Sequence, residues 1–255
     1  MRYFILLLFG FVQFFYSQGL GNISTNESLT YRIHYGFLNA GEATLSTNET
    51  HYKGMPHLHV IGKGRSKGAV NAFFKVRDHY ESYINLSTGL PSFYIRNVHE
   101  GSYKQHLQTT FHHDSTTLTL KNVLENSSPK QIKTVKGVQD MLSAFYYLRS
   151  MGEQDLKVGS IKNINVWIDD ELFPFQIRVV GTETISTKFG KIKCLKIIPL
   201  VKSGRVFKEK EGVTMWVSND KNHIPIAISA KLLVGSLRAD LSNYSNVKYP
   251  LQFVK

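Results

Sequence analysis

Cysteine is all but missing from this chain: Cys194 is the only one in 255 residues. No internal disulfide is possible, so stability must come from strand pairing and packing. The lone thiol, within Ile192-Lys-Cys194-Leu-Lys-Ile197, reads as a small buried hydrophobe rather than a reactive group. Complete catalytic signatures are missing too. There is no Gly-x-Ser-x-Gly elbow, no His-Glu-x-x-His helix and no phosphate-binding Gly-x-x-x-x-Gly-Lys-Ser/Thr loop. No repeat with a period of about 20–50 residues is present, which excludes solenoids and propellers. Acid is scarce, with 19 Asp and Glu against 31 Lys and Arg, a net charge of +12.

The one long apolar run stands at the amino end. Arg2 precedes Tyr3 to Val12, Phe14 to Tyr16 extend the run, and Ser17-Gln-Gly19 supplies small residues. This order predicts a secretory signal over 1–19, cut after Ser17 or Gly19. The run falls short of the ~18 residues that a membrane span needs, so no transmembrane span is expected after cleavage. With no cysteine at the cut site, no lipid anchor is expected either. Residues 20–255 then read as a single β-rich envelope domain, soluble and exported. Export turns the basic surface away from nucleic acid and towards anionic envelope components. The densest basic region runs through Lys188, Lys191, Lys193, Lys196, Lys202, Arg205, Lys208 and Lys210. Its turns at Gly190 and Gly204 are expected to place many of these lysines at sheet edges.

Alternation with period two dominates the rest. Leu29, Tyr31, Ile33, Tyr35 and Phe37 fall on one side and Thr30, Arg32 and His34 on the other. A turn is expected at Asn39-Ala-Gly41, then a return strand through Ala43, Leu45 and Thr47. His57 begins a third strand that the glycines at 62, 64 and 68 are expected to break as a flexible turn. Further strands are expected at Lys75–Ile84, Phe93–Glu100, Tyr103–Phe111 and Thr116–Lys121. Beyond residue 160 they are expected at Ile164–Ile168, Phe173–Val179, Glu183–Thr187, Ile192–Val201, Val213–Ser218 and Ile224–Leu233. The pattern changes once: Asp140-Met-Leu-Ser-Ala-Phe-Tyr-Tyr-Leu-Arg149 has no alternation, no glycine and no proline. Its helical spacing of Leu142, Phe145, Tyr146 and Arg149, behind an N-capping aspartate, predicts a helix near residues 140–151. The fold class is therefore mainly β: a strongly curved antiparallel sheet or incomplete β-barrel with one packed helix.

Several segments occur together in a telling order. They are Tyr31-Arg-Ile-His-Tyr-Gly-Phe-Leu-Asn-Ala-Gly-Glu-Ala43, Val76-Arg-Asp78 with Glu81-Ser82, and Glu100-Gly-Ser-Tyr103. The helix segment follows, then Met215-Trp-Val-Ser-Asn-Asp220 with Ile224-Pro225, and Val234-Gly-Ser-Leu237. Together they resemble the exported bacterial proteins grouped as domain of unknown function 3108, across nearly all of the chain after the signal. The resemblance implies a β-rich protein of the periplasm of a Gram-negative bacterium. It implies no activity and no catalytic residues.

Candidate site residues follow from chemistry on strand faces. His57 and His59 share a face and His112-His113 are adjacent, but no third or fourth ligand is spaced for a metal. They read as exposed histidines, and neither metal nor cofactor is implied. Asp78, His79, Glu81 and Glu100 are the acid–base candidates, which leaves a hydrolase of envelope glycan or peptide as an alternative. Tyr31, Tyr35, Tyr80, Tyr103 and Trp216 are placed to line a concave face, and Arg149 to offer a cation there. The leading expectation is a binding or envelope-assembly factor holding an amphiphilic ligand or an envelope polypeptide. The partners expected are a lipid, a glycan or an envelope protein, and a non-catalytic structural subunit of an envelope complex is the third reading.

Overall fold

The computed structural model describes residues 19–201, 212–233 and 235–254. The expected signal lies outside them apart from Gly19, as do Lys202, Gly204, Arg205, Lys208, Lys210 and Val234. Eight strands come first: β1 (Ser28–Tyr35), β2 (Leu38–Tyr52), β3 (Met55–Ser66), β4 (Arg77–Asn85), β5 (Pro91–Glu100), β6 (Tyr103–His112), β7 (Thr117–Asn122) and β8 (Lys130–Lys133). A short helix α1 (Gly68–Phe73) interrupts them between β3 and β4. Then β9 (Gln139–Asp140) leads into helix α2 (Met141–Ser150). The chain ends with β10 (Ile161–Ile168), β11 (Glu171–Thr187), β12 (Gly190–Val201), β13 (Val213–Ser218), β14 (Pro225–Lys231) and β15 (Ser236–Ser245).

All the described strands join one 15-stranded sheet, in the order β8-β7-β6-β5-β4-β3-β2-β1-β15-β14-β13-β12-β11-β10-β9. Two meanders are thus joined by the β1–β15 pair, with Ser28 opposite Ser245 and Tyr35 opposite Leu237. Only β9 on β10 is parallel. The sheet stays open, since β8 and β9 do not pair, but it curls on itself. Asp169, in the β10–β11 turn, reaches back to Arg96 of β5 at 2.9 Å. The Ser82 hydroxyl of β4 donates to Asp140 Oδ2 at 2.6 Å.

Helix α2 fills the space inside the curl. Asp140 caps it, its Oδ1 accepting from the backbone N–H of Leu142 and Ser143, both at 2.8 Å. The Ser143 hydroxyl accepts from the Asp140 N–H in return, so two orphan donors are satisfied reciprocally. One helix face, with Leu142, Phe145 and Tyr146, packs with Leu58, Val60, Ile84 and Trp167. The other, with Ala144, Tyr147 and Leu148, packs with Ile164, Ile177, Ile197 and Val217. Among the described residues α2 is the longer of the two helices.

Four expectations need correction. The first turn is Gly36-Phe37, not Asn39–Gly41, because Gly36 adopts the left-handed φ of 54° that a tight hairpin requires. A bulge on β2 then absorbs the extra residue. The stretch from Gly62 to Ser66 is strand β3 rather than a flexible turn. Gly62 is there for space, since a Cβ would stand 3.1 Å from a Leu142 methyl of α2. The segments at 173–179 and 183–187 are one strand of 17 residues, whose alternation is broken by a bulge at Val180. Finally, the lysines of 191–196 lie on β12, inside the sheet between β11 and β13, not at an edge.

Candidate functional site

Two of the six candidate side chains are wholly interior. Arg149, in the last turn of α2, is fully buried and forms a bidentate pair with Glu27, at 2.5 and 2.8 Å. Its Nε donates to the Asn222 carbonyl at 3.2 Å, so the guanidinium faces protein on every side that the polar contacts define. Burial works against the charge, but Glu27 outweighs it and holds the Arg149 pKa above its ordinary value. Tyr31 is buried in the neighbouring apolar cluster with no hydrogen-bond partner for its hydroxyl, and burial drives that hydroxyl's pKa far up. The Arg149 guanidinium carbon lies over the Tyr146 ring, 5.2 Å from its centroid. Glu27 carried no signal in the sequence. It is a single carboxylate before the first strand, and its partner lies 122 residues away.

A second pair converges on Arg96. Tyr80 is partly buried against the first cluster, and Tyr103 is 48% exposed at the start of β6. Tyr103 hydrogen-bonds the Arg96 guanidinium and Tyr80 lies near it, and the guanidinium also pairs with Asp169 and donates to Gln105. Beside it, Asp78 and Glu100 share a hydrogen bond, and burial followed by mutual repulsion raises the Glu100 pKa. The Asp78 pKa is also raised, chiefly by burial. His79 and Glu81 do not join them in one constellation. Asp78 and His79 take opposite faces of β4, and Glu81 is held by both His79 and His59 at 2.8 Å. A glycosidase separates its carboxyls by roughly 5–10 Å around the bond it cleaves. Asp78 and Glu100 touch instead, so that geometry is not built here.

The histidines are less exposed than expected. His57 is fully buried, with Nδ1 donating to the Met55 carbonyl and Nε2 2.8 Å from the Ser92 hydroxyl. The rings of Tyr52, Tyr83 and Phe93 pack around His57 and His59, which is why that outer face of β3 is covered. Among the described residues no three His, Cys, Asp or Glu side chains converge as a metal site. Cys194 is buried as expected, and burial pushes its thiol up to about 12.

Trp216, although only 9% exposed, is the candidate that lines a groove. Directly paired residues share a sheet face, so Lys196 of β12, Trp216 and Thr214 of β13, and Ser229 of β14 align. With Val180, Ile198 and Lys231 they line a groove of about 560 Å³. The bulge in β11 turns Val180 outward to 40% exposure, giving the groove one apolar wall. The indole is fixed: Nε1 donates to Glu183 Oε2 at 2.9 Å, and Lys196 and Arg238 lie 5.8 and 5.1 Å from the ring centroid. That indole hydrogen bond, and Lys196 after it, hold the Glu183 carboxyl below its ordinary value. Of the two cations lining the groove itself, Lys196 pairs with Glu183 at 3.3 Å, and Lys231 faces no carboxylate in the lining. Arg238 also lines an adjoining groove of about 300 Å³ with Arg32, Lys188 and Asp240. This wall of the sheet can therefore accept an anion and an apolar group side by side. Tyr35, 38% exposed at the end of β1, stands apart from it.

The sequence matches the family described as Protein of unknown function (DUF3108) over residues 30–242. The chain belongs to that family. Among curated proteins none matches this DUF3108 chain. In fold it is similar to the crystal structure of a beta-barrel-like protein of domain of unknown function DUF1849 from Brucella abortus, with a TM-score of 0.55. That likeness covers 87% of this chain and 98% of the other at 8% identity, so it bears on architecture alone. No described helix of this DUF3108 chain is long and apolar enough to cross a membrane. It is a barrel-like β domain with an open sheet.

Proposed function

We propose that this chain is an exported binding protein of the Gram-negative periplasm that holds an anionic amphiphile in the groove beside Trp216. The observation that carries the reading is the lining itself: Val180 and Ile198 supply apolar wall, and two cations border it, Lys231 with no carboxylate in the lining and Lys196 shared with Glu183 at 3.3 Å. A lipid-like molecule with an acidic head would place its head between the lysines and its chain along Val180 and Ile198. The amino-terminal pattern supports export, and the excess of base over acid suits an anionic ligand. The interior of the curl is not the place for it, because α2 and its apolar neighbours occupy that space.

Indole fluorescence tests this directly. There are two tryptophans, and Trp167 is buried in the core, so Trp167→Phe leaves Trp216 as the sole reporter. Titration with lysophosphatidylglycerol is expected to shift its emission, and lysophosphatidylcholine to do so only weakly. Lys196→Glu with Lys231→Glu is expected to weaken the first response by about tenfold or more. An unchanged response in the double variant would overturn the assignment. Native mass spectrometry of protein taken from cells adds an independent arm: a bound polypeptide in place of an amphiphile would count against the reading.

A further inference from the structure

The strand directions place several turns at one end of the sheet. The β14–β15, β1–β2 and β5–β6 turns and the α1 connection all lie there. They also touch in series. The Tyr35 hydroxyl stands 2.6 Å from where a Cβ on Gly235 would be, which joins the β14–β15 turn to β1. The Lys67 N–H donates to the Ala40 carbonyl at 2.9 Å, which joins α1 to the β1–β2 hairpin. The Phe74 ring covers Gly101, which joins α1 to the β5–β6 turn. This continuous rim projects Phe37, Phe73 and Leu233 almost completely into solvent, at 97, 90 and 107% exposure. Leu232, Phe74 and Tyr103 are about half exposed beside them, at 51, 51 and 48%.

Charge indicates what covers such tips. From Lys67 to Arg77 the apolar Phe73-Phe74 pair is flanked by Lys67, Lys75 and Arg77 with no acidic residue between, and of these Lys67 is paired with Glu42 at 2.6 Å. From Lys231 to Arg238 the Leu232-Leu233 pair is flanked by those two cations with no acid between, and of these Arg238 is paired with Asp240 at 2.7 Å. Separate apolar tips with cations set just behind them match an interface where acyl chains lie beneath anionic headgroups. Aromatic and leucine side chains insert a few ångströms while lysine and arginine stay at headgroup level. A protein partner would instead require a contiguous apolar face or groove. We infer that this rim docks on the surface of a bilayer containing anionic lipid. The inference does not depend on the Trp216 groove, although Lys231 lines that groove and would bring it close to the membrane.

Vesicle flotation tests the rim. The full chain, and in parallel a form beginning at Gly19 so that residues 1–18 cannot supply the affinity, are mixed with vesicles. The vesicles are phosphatidylcholine alone or phosphatidylcholine with phosphatidylglycerol. Both forms are expected to float with the anionic vesicles, less so at high salt, and to remain behind with the neutral ones. Phe37→Ser, Phe73→Ser and Leu233→Ser combined should weaken flotation roughly tenfold or more, given the apolar area each would bury. These side chains are solvent-exposed, so the variant's thermal midpoint should match the parent, which separates lost docking from lost folding. Absence of flotation by the form beginning at Gly19, or equal flotation by the triple variant, overturns the inference. So does a parent that is dimeric and does not float, with a triple variant that is monomeric, since the rim would then be a contact between copies. Lys196→Glu leaves the rim intact and should still float, which distinguishes failure of the rim from failure of the groove.

Discussion

The two ends of the curled sheet are built on opposite principles. At one end the chain closes the fold with polar contacts. The segment before β1, the end of α2, the β13–β14 turn and the carboxyl-terminal segment meet around Arg149. Its carbonyl accepts from Asn22 Nδ2 and from His223 Nδ1, which satisfies an orphan group of the last helical turn. Asn222 exchanges two hydrogen bonds with Tyr249, at 2.8 and 2.9 Å, and adds a carbonyl for Arg149. The apolar side chains exposed there, Met55, Val158, Phe253 and Val254, are only about half exposed, at 43–56%. At the other end polar contacts such as Lys67 to Glu42 and Asp169 to Arg96 also tie the chain, but Phe37, Phe73 and Leu233 stand almost fully exposed. One end is fastened by sequence-distant polar groups, whereas the other leaves apolar groups available. Stability should therefore respond sharply to substitutions at the fastened end and weakly at the open one.

The largest effect is expected at the buried ion pair. Glu27→Gln leaves the Arg149 charge inside with no compensating carboxylate and should cost about 3–5 kcal/mol in urea denaturation. Replacing both partners, Glu27→Leu with Arg149→Met, should recover much of that loss, because no charge is then stranded. If the single and double variants were equally unstable, packing rather than charge would govern this end.

Next comes Asp140, midway between the ends, where α2 starts. Asp140→Ala removes the acceptor for two backbone N–H groups and for Ser82, at a cost of roughly 1–3 kcal/mol. Burial lifts the Asp140 carboxyl from 3.8 to about 6, against the pull of its hydrogen bonds. The folded state therefore holds this proton more tightly than the unfolded chain does. Its contribution is complete below about pH 4 and is lost as pH rises through about 6. Asp140→Asn keeps an acceptor oxygen but cannot titrate. The stability of the parent minus that of this variant should fall between about pH 4 and 6, then level off. A difference that stayed flat over that range would mean that the carboxylate is charged throughout.

What could be read beforehand depended on range along the chain. Alternation is local, so most strands and the helix near 140–151 stood out, and the cap at Asp140 was visible because its partners are two and three residues away. The expected strands stop at Leu233 and miss β15, although Leu237, Ala239 and Leu241 alternate in it. β8 and β9 are four and two residues long, too short to show a period. Leu142, Phe145 and Tyr146 share one helix face by their spacing, but Phe145 is only partly buried while Tyr146 is completely so. Helical spacing gives the face of a helix, not the depth of each residue on it. For the site, Trp216 is legible as a candidate, but its groove depends on a β11 bulge and on strand register. The rim was hidden for the same reason: which turns share an end follows from the strand order, not from any one turn.

A smaller effect is expected where the open edge is tied down. Asp169→Asn weakens the contact between the β10–β11 turn and Arg96, whose side chain is mostly buried while Asp169 is half exposed. Such a pair is worth up to about 1 kcal/mol. Hydrogen exchange should report it locally, with faster exchange in β10 and β5 and little change around α2. If protection around Arg149 also fell, the ends would be coupled rather than independent.

The smallest effect, and the one of opposite sign, is expected at Asp78 and Glu100. Burial and then Asp78 raise the Glu100 carboxyl above its ordinary value, and Asp78 is raised chiefly by burial. For both groups the folded state holds the proton more tightly, so their contribution is present at low pH and lost as pH rises through the raised values. At neutral pH the two carboxylates repel each other and are only partly screened by Arg96. Glu100→Gln removes one charge and keeps a donor for Asp78. It should stabilise the protein at pH 7.5 by a few tenths of a kcal/mol, a small figure because both groups are partly solvated. At pH 4, where the shared proton already relieves the repulsion, the gain should shrink. Thermal midpoints at the two pH values measure it. A loss of stability of equal size at both would show that the pair acts through packing or hydrogen bonding alone, and that the open end is as tightly specified as the fastened one.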